Sequence, residues 1–159
     1  MNTALPSVLF VCLGNICRSP LAEAALRHPA QATGVDLIVD SAGTGSWHTG
    51  SPPDPRARAE ALHHEIDIAA YRARQVGPDD FMRFERIVAM DRQNLADLKR
   101  IAPPAPQARL SLLLDHIPGM TGQDVADPYF GGPEGFAQTW RQVQEAARHL
   151  AETIRQERT

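Results

Sequence analysis

Cys12 and Arg18 are separated by five residues in Cys12-Leu13-Gly14-Asn15-Ile16-Cys17-Arg18-Ser19, and together they could do chemistry on a tetrahedral anion. A thiolate is a nucleophile, and a guanidinium is a planar fork that grips two oxygens of a phosphate at once. Gly14 tolerates a positive φ, and Asn15 is the next most tolerant residue for it. Both would let successive backbone N–H groups converge as an anion nest. Ser19 can donate its hydroxyl to the thiolate at the base of the loop. The residues alone leave one alternative, a buried structural cysteine in a turn.

Such a loop needs a strand before it and a helix after it. Val8 to Val11 is a continuous apolar run, which predicts a buried parallel strand. Ser19-Pro20 followed by Leu21-Ala22-Glu23 predicts a helix start, with the helix over about residues 20–32 and a stop at Gly34. The loop would then sit on the positive end of a helix dipole. Further along, 36–41 reads as a second strand, 86–90 as a third and 110–114 as a fourth. Asp54-Pro55 opens a helix that passes Leu62 and ends near Ile66, and Asp79-Asp80-Phe81 opens a short one. Another begins at Asn94 and stops before Pro103. The last has the clearest period, with Phe136, Trp140, Val143, Ala147, Leu150 and Ile154 in steps of four and three. Strands alternating with helices predict a three-layer α/β fold, a four-stranded parallel sheet with helices on both faces.

Composition narrows the class. A chain of 159 residues, 43% hydrophobic and 22% charged, reads as one domain over 1–159. A net charge of −3 and no basic block argue against nucleic acid. No apolar stretch approaches membrane-spanning length, and the N-terminal residues lack a secretion signal. The two cysteines, both in the loop, make neither a disulfide framework nor a zinc site. The six histidines read as structural or solvated. A nucleophilic thiol needs a reducing compartment, so a cytoplasmic location is expected.

Val11-Cys12-Leu13-Gly14-Asn15-Ile16-Cys17-Arg18-Ser19-Pro20 resembles the phosphate loop of the low-molecular-weight protein tyrosine phosphatases, and the likeness runs from residue 8 to the last helix. It implies hydrolysis of phosphotyrosine in proteins through a phosphocysteine on Cys12, with phosphate held by Arg18 and the 13–19 amides and with no metal and no organic cofactor. Tyrosine kinases would be among the substrates, and inorganic phosphate would be product and inhibitor. Such a reaction needs a proton for the leaving oxygen and then a base for water, and one carboxyl group serves both. Asp127-Pro128-Tyr129-Phe130 matches the family's general-acid motif, although an isolated Asp-Pro is usually a turn initiator. Asp115, Asp124 and Asp91 are the fallback acids. Trp47, in a small-residue loop, would face Tyr129 and Phe130 across a substrate cleft, with Leu13 and Ile16 as apolar lining. Cys17 is either a small buried filler or, as the resemblance suggests, a thiol that captures oxidised Cys12. Tyr71 departs from the family, many of whose members carry at that position a His hydrogen-bonded to the loop Asn.

Three rivals share parts of this pattern. A thiol-dependent arsenate reductase needs redox cysteines beyond Cys17, and there are none. A phosphocarrier has no use for the Asp127 acid. A non-catalytic phosphotyrosine-binding module has no use for Cys12.

Overall fold

An apolar run with no polar break has to be covered on both faces, and all six residues of strand β1 (Ser7–Cys12) are buried. The computed structural model describes residues 5–33 and 36–158. After β1 come α1 (Arg18–Thr33), β2 (Ile38–Gly43), α2 (Pro55–His63), α3 (Asp80–Arg83), β3 (Arg86–Ala89), α4 (Arg92–Ile101), β4 (Arg109–Leu112), a 3-10 turn (Leu113–His116) and α5 (Pro133–Glu157). The four strands are parallel, in the order β2-β1-β3-β4. The α/β architecture expected from the alternation of elements is the one found.

Alternation along β1 divides the core. Val8, Phe10 and Cys12 point into a cluster with Leu21 and Leu26 of α1 and Phe136, Trp140 and Leu150 of α5. Leu9 and Val11 point the other way, against Phe81 of α3 and Leu98 of α4. Cys12 therefore leaves the sheet on the α1 side, next to the start of the helix that follows it. The α5 period is realised in full, with all six residues named above buried.

Element ends moved for identifiable reasons. Helix α1 starts at Arg18, so Pro20 is its third residue, still in the first turn where a missing N–H costs nothing. Strand β2 begins and ends two residues later than 36–41, because its register follows β1 from Ser7↔Ile38 to Cys12↔Gly43. Strand β4 stops at Leu112 with the end of β3, and Leu113 and Leu114 are buried in the 3-10 turn instead. An apolar run alone does not tell a strand from a buried turn. Helix α2 ends at His63, short of Ile66. Helix α4 starts two residues before Asn94, with Asp91 as its cap accepting the Asn94 N–H. The stop read at Gly34 lies outside the described residues, as do residues 1–4.

Gly43, the last residue of β2, lies against the loop that follows β1. A Cβ there would sit 2.8 Å from the Leu13 carbonyl oxygen and 3.2 Å from Asn15 Cβ. Backbone cannot yield as a side-chain tip can, so Gly43→Ala must push the 12–18 loop aside. Para-nitrophenyl phosphate hydrolysis, the activity implied by the resemblance, is expected to fall roughly 10–100-fold, with an unchanged far-UV circular dichroism spectrum. Near-normal turnover would mean that the loop does not need its present position.

Candidate active site

The loop between β1 and α1 closes on the Cys12 sulfur. The Asn15 N–H donates to Cys12 Sγ at 3.3 Å, and Ser19 Oγ stands 3.0 Å from it. Asn15 is the left-handed residue of the loop, at φ 59°, and is buried. Gly14, expected to share that role, does not take a positive φ. Its smallness serves packing: a Cβ would meet the His48 ring at 3.0 Å. The Asn15 side chain donates to Ser19 Oγ at 2.8 Å and to Ser41 Oγ at 3.0 Å, and accepts the Arg74 N–H at 3.0 Å. These bonds tie the loop to β2 and to the segment after α2. Tyr71 is not among the partners of Asn15; it packs against the α1–α5 core, with Arg27 over its ring at 5.9 Å.

Arg18 is buried at the first position of α1. Its Nη1 donates to Asp91 Oδ2 at 2.7 Å and to the Val125 carbonyl at 2.8 Å, while Nη2 stands 3.7 Å from Asp127 Oδ2. Burial works against its charge, but Cys12, Asp91 and Asp127 outweigh it and hold the guanidinium more firmly protonated than usual. Cys17 is pushed far the other way. Burial first, then the negative field of Asp54, Cys12 and Asp127, raises its thiol well above the ordinary range.

Cys12, Leu13, Gly14, Ile16, Cys17 and Arg18 line one cavity of about 200 Å³ together with Trp47, Asp127, Tyr129 and Phe130. Asn15 and Ser19 lie behind it and shape the loop. Trp47 is 72% exposed and Phe130 94%, so the rim is aromatic and open. Tyr129 and Phe130 meet edge to face at 5.0 Å. Asp127 accepts the Tyr129 N–H at 3.1 Å. The three fallback acids are engaged elsewhere. Asp91 holds Arg18 and caps α4. Asp124 binds Arg92, whose hydrogen bond keeps its carboxyl below the usual range. Asp115 accepts the Leu112 and Gly122 N–H groups.

Several contributors were missed from sequence. His48 lines the cavity, where it had been read as structural or solvated. Arg56 bonds Asp54 and the Gly131 carbonyl and lies 5.5 Å from the Tyr129 ring, bracing the segment after Asp127 from behind. Asp54-Pro55-Arg56 signalled a helix start, with nothing to announce a second use for Arg56. Among the described residues no group of three or more His, Cys, Asp or Glu is placed to hold a metal, and no helix is long and apolar enough to cross a membrane.

Known proteins share this fold and much of this sequence. The family model described as low molecular weight phosphotyrosine protein phosphatase matches residues 7–159. A low molecular weight protein-tyrosine-phosphatase of Streptomyces coelicolor is 40% identical over 155 residues, 94% of either chain. A low molecular weight phosphotyrosine protein phosphatase of Schizosaccharomyces pombe is 38% identical over 150 residues, 92% of this chain and 96% of its own. The crystal structure of YfkJ from Bacillus subtilis matches with a TM-score of 0.92 at 35% identity, covering 100% of both chains. The chain belongs to the low molecular weight phosphotyrosine protein phosphatases, hydrolases that act on phosphotyrosine.

Proposed function

We propose that residues 1–159 form one phosphatase domain that hydrolyses protein phosphotyrosine by two displacements at phosphorus, with Cys12 as nucleophile. The observation that carries this reading is the meeting of Cys12 and Arg18, from one loop, with Asp127, from a distant part of the chain, on one cavity. In the first displacement the Cys12 thiolate attacks phosphorus and the P–O bond to the phenol breaks. Asp127 supplies the proton that the departing oxygen needs. In the second, water attacks the phosphocysteine, Asp127 takes its proton, and the P–S bond breaks to release inorganic phosphate and the thiolate.

The amides of Leu13, Gly14, Asn15, Ile16, Cys17, Arg18 and Ser19 and the Arg18 side chain are the groups that would hold the phosphate oxygens. With Nη1 anchored on Asp91 and Val125, the guanidinium is oriented before substrate arrives, so little ordering remains to be done on binding. Trp47, Tyr129 and Phe130 would flank the phenyl ring. Released phosphate, fitting the same groups, would inhibit. The prior commitments of Asp91, Asp115 and Asp124 favour Asp127 as the acid.

The loop's second thiol suits redox protection. Cys17 stays protonated in its buried site, so peroxide would oxidise Cys12 first, to a sulfenic acid. Attack by the Cys17 sulfur would then expel water and leave a Cys12–Cys17 disulfide, reducible by thiols. A reactive thiol of this kind would need a reducing compartment, which favours the cytoplasm.

Two substitutions test the chemistry. Cys12→Ser is expected to abolish turnover while keeping orthovanadate affinity within a few-fold, read by isothermal calorimetry, since the cradle is backbone plus Arg18. More than a trace of residual turnover would rule out the phosphocysteine. Asp127→Asn forces the leaving oxygen to depart unprotonated. A phosphotyrosine peptide, whose phenol has a pKa of about 10, is expected to slow by roughly 10²–10⁴. Para-nitrophenyl phosphate, with its better leaving group, is expected to lose much less. Equal losses on the two substrates would move the acid elsewhere.

A further inference from the structure

None of the steps above uses Glu23, yet it is a carboxyl group only 5% exposed and one side chain removed from the nucleophile loop. Its Oε2 pairs with Arg27 Nη2 at 2.5 Å, one turn further along α1, and its Oε1 accepts the Ser41 hydroxyl at 2.7 Å. The bonds beyond it have only one consistent direction. Ser41, having given its hydrogen to Glu23, accepts from Asn15 Nδ2. The backbone N–H of Arg74 can only donate, so it fixes the oxygen end of the Asn15 amide. The other Nδ2 hydrogen goes to Ser19 Oγ. Ser19 is thereby an acceptor from Asn15, and its own hydrogen is left for Cys12 Sγ at 3.0 Å.

We propose that Arg27 is a positioning residue for the phosphatase reaction: it holds Glu23 as a carboxylate, and so directs the Ser41–Asn15–Ser19 chain to present the Ser19 hydroxyl to the Cys12 thiolate. The inference rests on Cys12 being the nucleophile. A carboxylate accepts only, so Ser41 must donate to it. A protonated Glu23 could donate to Ser41 instead, and Ser41 would turn its hydrogen toward an Asn15 NH₂ that also donates. Asn15, its oxygen still held by the Arg74 N–H, would then lose the Ser41 acceptor that steadies its NH₂ against Ser19. Arg27 is itself fixed from other sides, by the Val39 carbonyl of β2 and by the Tyr71 ring. The charged and titratable groups facing Glu23 are Arg27, Asp40 and, more distantly, Tyr71. Burial pushes the Glu23 carboxyl up and Asp40 adds to this; the Ser41 hydrogen bond and Arg27 offset only part of it, so the carboxyl stays above its ordinary range and depends on Arg27 to keep its charge.

The test reads the thiolate without turnover. Each variant is treated with iodoacetamide at pH 6, and Cys12 alkylation is timed by tandem mass spectrometry, with thermal melts as folding controls. Arg27→Gln is expected to slow alkylation about tenfold, as the Ser19 hydrogen bond to the sulfur is weakened. Arg27→Lys, which keeps the cation, is expected to restore most of the rate. Ser41→Ala is expected to slow it as much as Arg27→Gln, and adding Arg27→Gln to Ser41→Ala is expected to change nothing more. Phosphotyrosine-peptide kcat/KM at the same pH should follow the same order. An unchanged rate in Arg27→Gln overturns the proposal, and so does an equal further loss in the Ser41→Ala background, which would mean a field acting through space. Should Arg27→Gln not fold, a wild-type rate in Ser41→Ala overturns it instead. If wild-type Cys12 reacts no faster than a cysteine in a short peptide, the nucleophile reading itself falls, a result distinct from either of these.

Discussion

A buried cation must be partnered, and in this molecule that requirement falls on Arg18. Its side chain is 3% exposed, and leaving it unpaired would cost several kcal/mol. The partners it takes come from separate parts of the chain: Asp91 between β3 and α4, and Val125 and Asp127 in the segment before α5. Because Arg18 opens α1 directly after the Cys12 loop, satisfying one guanidinium brings together the ends of two strands, the starts of two helices and the acid loop. The site follows from that pairing more than from any property of the loop alone.

Asp91 shows how few groups are needed. One of its oxygens holds Arg18 and the other caps α4. A shift of α4 would therefore reach Arg18 through a single carboxylate. Val125 does the same for Asp127. Its N–H donates to the Met90 carbonyl at 2.9 Å and its own carbonyl accepts from Arg18 at 2.8 Å. Asp127 is two residues on, in a segment without strand or helix of its own, and takes its place from these two bonds. A long loop that carries function is usually anchored close to the residue that matters.

What could be read from the sequence was what is local in it. The Cys12–Ser19 loop, the strand before it and the helix after it are contiguous, so residue types and spacing were enough. The α5 period was legible for the same reason, each buried position following from the last. Strand ends were not, because β2 and β4 stop where β1 and β3 do, and register belongs to a pair. The pairing of Arg18 with Asp91, 73 residues away, and the link from Glu23 through Ser41 to Asn15 were illegible too. Each of these residues has an ordinary local reading as cap, solvated charge or strand end. Tyr71 is the instructive case. Its position left a bond to Asn15 open, but that amide is held by Ser19, Ser41 and Arg74, and the phenol lies instead beside Arg27.

The two aromatic walls of the cleft are built by different means, with consequences for how each can respond to a substrate. Trp47 lies on the backbone of Gly45, so closely that a Cβ there would overlap the indole at 1.9 Å. Any side chain at 45 would lift the ring, so this wall is set by contact with main chain. Tyr129 is set by charge instead, with the Arg56 guanidinium 5.5 Å from its ring and hydrogen-bonded to the Gly131 carbonyl. Phe130 touches Tyr129 edge-on and is otherwise 94% exposed. Leaving such apolar surface in water is unfavourable by about 25 cal/mol per Å², and a phenyl ring seated between the walls would recover part of it. The proposed phosphate cradle would take any phosphomonoester that reaches it. The exposed aromatic surface is what would make a phenyl ester the favoured one.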